Sequence, residues 1–172
     1  MRKIVLIVDE GFSFSTDGFV LIFVHDSVGW DVSGPTGVIG VEIPMALMRE
    51  FIPQIEVAED GGGEFAKAIL TTDKRTKEIA VSFDVDGVTH TVGGVSKGSG
   101  MIHPNMATML AYVTTDANVD LAFLKQTLSG AVKLSFNQID VDGDQSTNDT
   151  VLLMANGAAG GNKAAIAQGQ DS

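Results

Sequence analysis

Ile79-Ala80-Val81-Ser82-Phe83-Asp84-Val85-Asp86-Gly87-Val88-Thr89-His90-Thr91-Val92 carries the strongest structural signal in this chain. Ile79, Val81, Phe83 and Val85 alternate with small or polar residues, a period of two that places all four on one face of a strand. Asp86-Gly87 supplies the positive-φ pair that a tight hairpin turn needs, and Val88 and Val92 begin the returning strand. A β-hairpin is expected here.

The segments on either side read in the same terms. Glu64 to Leu70, after the break at Gly61-Gly62-Gly63, suits one or two turns of helix leading into Thr71-Thr72-Asp73. Ile43, Leu47, Met48, Phe51 and Ile55 stand at helical spacings, and Pro44 and Pro53 limit that helix to a few turns. Residues 4–8 and 19–24 are short β-branched and aromatic runs that read as paired strands. Downstream of the hairpin, Gly93-Gly94-Val95-Ser96-Lys97-Gly98-Ser99-Gly100 allows close approach of a ligand or another strand, and a plain loop fits equally well.

Leu121, Leu124, Leu128 and Val132 mark one face of a helix that Asp120 is placed to cap. Phe136 to Val141 return to strand-like alternation, and a last helix is expected from Ser146, where Ser146 and Asp149 resemble a capping box, to Asn156-Gly157. The small, polar tail 160–172 is expected to be flexible. Without an internal repeat, residues 1–172 read as a single layered α/β domain.

With 22 acidic and 11 basic residues the net charge is -11, a field that repels a phosphate backbone and argues against a nucleic-acid partner. The absence of cysteine removes disulfides, thiolate catalysis and cysteine metal sites together. The apolar run Ile4-Val5-Leu6-Ile7-Val8 ends at Asp9-Glu10, too early for a signal segment, and Phe19 to Val24 is far shorter than a membrane span. A soluble, cytoplasmic protein without a membrane partner is the expectation.

Asp140-Val141-Asp142-Gly143-Asp144 invites comparison with a calcium loop, whose sixth and twelfth positions need Gly and Glu. Gln145 and Val151 stand there instead. Lys97 precedes Gly98, the reverse of the order in a phosphate-binding loop. His25, His90 and His103 lack metal-ligand spacing and are read as structural. Neither a metal site nor a Ser-His-Asp site is supported, which leaves another kind of activated nucleophile.

The segment Lys97-Gly98-Ser99-Gly100-Met101-Ile102-His103-Pro104-Asn105-Met106-Ala107-Thr108-Met109-Leu110 resembles the processing site of the ornithine acetyltransferases, also called glutamate N-acetyltransferases, of arginine biosynthesis. Two further blocks are similar to that family: Thr36-Gly37-Val38-Ile39-Gly40, and Asp142-Gly143-Asp144-Gln145-Ser146-Thr147-Asn148-Asp149-Thr150, with Gln145 where a Thr is usual. The similarity runs from about Thr36 to Gly160.

The resemblance implies autocleavage between Ala107 and Thr108, with Thr108 then serving as catalytic nucleophile. It implies that Thr36 and Gly37 stabilise the oxyanion and that Thr71, beside Thr72 in the family's Thr-Thr-Asp segment, binds substrate together with Lys97 and Thr108. The implied reaction moves acetyl from N-acetylornithine to glutamate, without a cofactor, although some relatives accept acetyl-CoA as donor. The implied fold is a layered α/β/β/α sandwich, here incomplete: residues 1–33 diverge from the family's amino-terminal portion and its long carboxy-terminal half is expected to be missing. An oligomer of processed chains, or a missing partner chain, is the corresponding expectation.

The chemistry suits the residue. A freed α-amino group, with an unperturbed pKa of about 7.7 to 8.0, is a suitable general base for its own hydroxyl near neutral pH. Two alternatives stay open: a non-catalytic structural or binding module, and an amidase or aminopeptidase with the same type of nucleophile.

Overall fold

The structure, a computed structural model, describes residues 5–6, 23–24, 49–50, 54, 61–103, 109–144, 149–159 and 165–167. Its strands are β1 (Val5–Leu6), β2 (Phe23–Val24), β3 (Lys77–Val85), β4 (Val88–Lys97), β5 (Leu110–Thr115) and β6 (Thr150–Ala155); its helices are α1 (Gly62–Ala68) and α2 (Leu121–Leu134). They form an α/β unit around one mixed sheet of order β1-β6-β5-β4-β3, with β2 also paired to β6.

The hairpin forms as expected. β3 and β4 pair antiparallel from Lys77 opposite Ser96 to Val85 opposite Val88, with Asp86 and Gly87 both at positive φ in the turn. β4 continues through Gly93 and Gly94, so these glycines are strand residues, and it pairs antiparallel with β5. β5 then runs parallel to β6, Leu110 opposite Thr150. A parallel pair needs a crossover, and α2 supplies it.

β6 occupies the place where the final helix was expected. Val151, Leu152, Leu153 and Ala155 are all buried, so the strand shows no polar alternation, and Asp149 is engaged elsewhere than in a helix cap. β1 and β2 also depart from expectation. They do not pair with one another; each lies antiparallel along β6, Leu6 opposite Met154 and Val24 opposite Val151. One edge of β6 is taken by β5, which leaves the other for both segments.

α2 begins as its sequence suggests: the Asp120 side chain accepts the Phe123 amide at 3.0 Å. Its buried Leu124, Leu128 and Val132 pack on Met109, Ala111, Val151, Leu153 and Ala155. After Leu134 the chain makes a 3-10 turn, Phe136–Gln138, where a strand was expected. Ser135 Oγ donates to the Ala131 carbonyl and Gln138 Nε2 to that of Lys133, so the last carbonyls of the helix are satisfied locally and the coil is prolonged. α1 forms as expected and lies on the other sheet face, Phe65 meeting Tyr112 edge to face at 4.9 Å.

Arg49 and Glu50 are helical, and Gln54 Nε2 donates to the Glu50 carbonyl at 2.8 Å; the rest of the helix expected over 43–55 lies outside the described residues. Ile166, within 160–172, bridges to Val119 and exchanges main-chain hydrogen bonds with Asn118 and Asp120. Among the described residues no helix is long and apolar enough to cross a membrane.

Candidate functional site

Lys97 closes β4, a strand flanked on both sides, and burial follows from that position: only 7% of the residue is exposed. A buried ammonium is costly unless its donors are used. Lys97 Nζ donates to Thr71 Oγ1 at 3.2 Å, so two of the residues expected to bind substrate, far apart in sequence, meet. Beside them Thr72 Oγ1 and Ser99 Oγ are 2.7 Å apart. A cation beside a hydroxyl is a pair able to receive a carboxylate, and the Asp73 carboxyl already lies within reach of the Lys97 charge.

Asp73 ties these pieces together. Its Oδ1 accepts the Gly98 amide at 2.8 Å and pairs with the Lys77 ammonium, while Oδ2 is buried without a hydrogen-bond partner among the described residues. Burial alone would push this carboxyl up; the Lys77 hydrogen bond, the Gly98 amide and the charges of Lys77 and Lys97 outweigh it and hold the group below the ordinary carboxylate value. Gly98 itself has φ +147°, and a Cβ there would lie 2.9 Å from Ile102 Cδ1. Only glycine turns this corner without strain.

Beyond Gly98 the chain is held to the 141–150 segment at two places. Asp142 accepts the amides of Met101 and Ile102 at 2.6 and 3.0 Å, and Val141 N donates to the Ile102 carbonyl at 2.9 Å. Those two amides are the main cause of an Asp142 carboxyl held below its ordinary value. Further on, Asp149 Oδ1 accepts the Met109 amide at 2.5 Å, and Thr150 N donates to the Met109 carbonyl at 3.0 Å. Two of the three aspartates considered for calcium thus serve main-chain donors: Asp140 accepts the Gly143 amide at 3.0 Å, and Asp142 is occupied by Met101 and Ile102.

Thr36, Gly37, Ala107 and Thr108 lie outside the described residues; the geometry brings together Thr71 and Lys97 and includes Met109, the residue that follows Thr108. Sequence reasoning missed Asp73, Asp142 and Asp149 as organising groups. Asp73 follows Thr71-Thr72 directly, which is the one signal that pointed to it. His90 is buried beside Phe83, ring centroids 5.6 Å apart, with Nδ1 3.8 Å from Asp116. His103 Nδ1 lies 3.5 Å from Asp140.

The ArgJ family model matches residues 31–171. The arginine biosynthesis bifunctional protein ArgJ of Lactococcus lactis subsp. lactis is 56% identical over 128 residues, which are 74% of this chain and 32% of that protein. Its namesake in Oceanobacillus iheyensis is 54% identical over 128 residues, 74% of this chain and 31% of that protein. The Dehalococcoides mccartyi protein of the same name is 50% identical over 124 residues, 72% and 31%. The chain spans about a third of the length of these curated relatives.

Proposed function

This chain belongs to the ArgJ family, and on that premise we propose that it takes part in arginine biosynthesis as an acetyltransferase moving acetyl from N-acetylornithine to glutamate. The observation that supports the reading best is the meeting of Lys97 with Thr71, a buried cation beside a hydroxyl, a pair able to receive an amino-acid carboxylate.

In this reading the Thr108 hydroxyl attacks the Ala107 carbonyl carbon, the peptide C–N bond breaks, and the hydroxyl proton passes to the departing amine. Water then hydrolyses the ester, leaving the Ala107 carboxylate and a free α-amino group on Thr108. That amine takes the hydroxyl proton when Thr108 attacks the acetyl carbonyl of N-acetylornithine; ornithine leaves with a proton, and the glutamate amine collects the acetyl group by the reverse sequence. Thr36 and Gly37 donate to the oxyanion of each tetrahedral intermediate. Lys97 and Thr71 hold the substrate carboxylate. The chemistry requires no cofactor, and acetyl-CoA is an alternative acetyl donor. In the same proposal the chain assembles as an oligomer of processed chains or with a partner chain, in the cytoplasm.

Intact-mass measurement before and after incubation with N-acetylornithine tests this. Two fragments divided between Ala107 and Thr108 are expected, the second gaining one acetyl group, and Thr108→Ala should remain a single unacetylated chain. A wild-type chain that stays whole and takes up no acetyl group would refute the proposal.

A further inference from the structure

We propose that Asp149 is a positioning residue for the nucleophile segment: its carboxylate anchors the peptide unit that joins residue 108 to Met109. The role of that segment rests on the function proposed above, whereas the anchor rests on described geometry alone.

Asp149 is 7% exposed, and its Oδ1 accepts the Met109 amide at 2.5 Å. A carboxylate is placed in such surroundings only at a cost, which hydrogen bonding to a fixed donor offsets. The donor is fixed. Met109 is itself buried in the core against α2, and its carbonyl accepts Thr150 N at 3.0 Å. The parallel ladder of β5 and β6 begins one residue later, at Leu110 and Thr150, so the Asp149 side chain adds one more link where the regular rungs end.

Peptide planarity makes this link matter for residue 108. The Met109 N–H, the carbonyl group of residue 108 and the Cα of residue 108 belong to one planar unit, and a single dihedral, ψ of residue 108, separates that plane from the side chain and the amide nitrogen which that Cα carries. Anchoring the N–H therefore fixes the platform from which the hydroxyl and the scissile bond are presented. Asp142 does the same at the other end, through Met101 and Ile102. From Ile102 to Met109 the chain advances by as many residues as from Asp142 to Asp149, so the two segments are matched in length between their anchors. Orientation at this level governs rate: a misplacement near 1 Å costs about 100-fold.

The test is the rate of cleavage between Ala107 and Thr108 in freshly made chains, followed by intact mass, for wild type, Asp149→Ala and Asp149→Asn, with exchange of the Met109 amide read in parallel. Asp149→Ala is expected to slow cleavage by about 100-fold while the β3–β4 amides keep their protection, and Asp149→Asn, which retains an acceptor oxygen at the same reach, to recover to within about tenfold of wild type. Rescue by the isosteric side chain separates positioning from loss of fold. A folded Asp149→Ala chain that cleaves at the wild-type rate overturns the proposal. Should the Ala variant not fold, a folded Asn variant that fails to cleave overturns it equally. If the wild-type chain is never cleaved, the proposed function falls first and exchange decides the anchor: a Met109 amide protected in wild type and exposed by Asp149→Ala alone upholds it, and an unchanged amide overturns it.

Discussion

Asp73 and Asp142 spend their carboxylates on main-chain amides, and this links stability to acid. Both are held below the ordinary value, Asp142 chiefly by the Met101 and Ile102 amides, Asp73 by Lys77 and Gly98 against the opposing effect of burial. For a depressed carboxyl the stabilisation is complete above the unfolded value, about 3.9, and is lost as pH falls through the folded one. The urea midpoint should therefore drop below about pH 4, and Asp142→Asn should flatten that dependence. Gly98→Ala tests the corner between Lys97 and the stretch that Asp142 holds at Met101 and Ile102. With φ at +147° and Ile102 Cδ1 2.9 Å from the added carbon, it should cost about 1–3 kcal/mol in urea titration. Of these roles only that of Asp73 had a signal in the sequence, its place directly after Thr71-Thr72. Thr71 and Lys97 were identified by motif, but the partners of Asp142 and Asp149 lie about forty residues away in sequence, and no local pattern announces a side chain that reaches so far for an amide.

The hairpin and α2 were legible because their signals are local. Alternation and a turn dipeptide define β3 and β4; an apolar stripe and a capping carboxylate define α2. Asp120→Ala should accordingly cost about 1 kcal/mol, read as a lowered thermal or urea midpoint. β6 was misread for a physical reason. Val151, Leu153 and Ala155 face α2 while Leu152 is buried on the opposite face, so burial on both sides erases the period of two and leaves an apolar run that fits helix or strand. Asp149 reinforced the error by imitating a cap. The strand supplies Val151, Leu153 and Ala155 to the core, and Leu153→Ala should cost about 2–5 kcal/mol by urea titration. The places of β1 and β2 were equally hidden, since pairing with a strand more than a hundred residues distant leaves no trace in either segment.

The sheet as a whole is covered unevenly. On the α2 face, β5 and β6 are buried, whereas Ile79, Val81 and Phe83 of β3 remain 72%, 53% and 41% exposed. Beside them an open groove of about 410 Å³ is lined by Val92, Val113 and Phe136. The alternation that made the hairpin easy to recognise thus points its apolar side at solvent, on a strand that is an edge of the sheet among the described residues. Contiguous apolar surface of this kind drives association. A net charge of -11 opposes it, and repulsion between copies is screened as salt rises, the Debye length falling from about 30 Å at 0.01 M to about 3 Å at 1 M. The chain should therefore bind a hydrophobic dye such as ANS while folded, and sedimentation velocity should show larger species as salt is raised. Replacing Ile79 and Val81 together by Lys should reduce both signals, because it removes apolar area from the exposed face without touching the core on α2. Dye binding and sedimentation unchanged by that double substitution would mean that another surface is responsible.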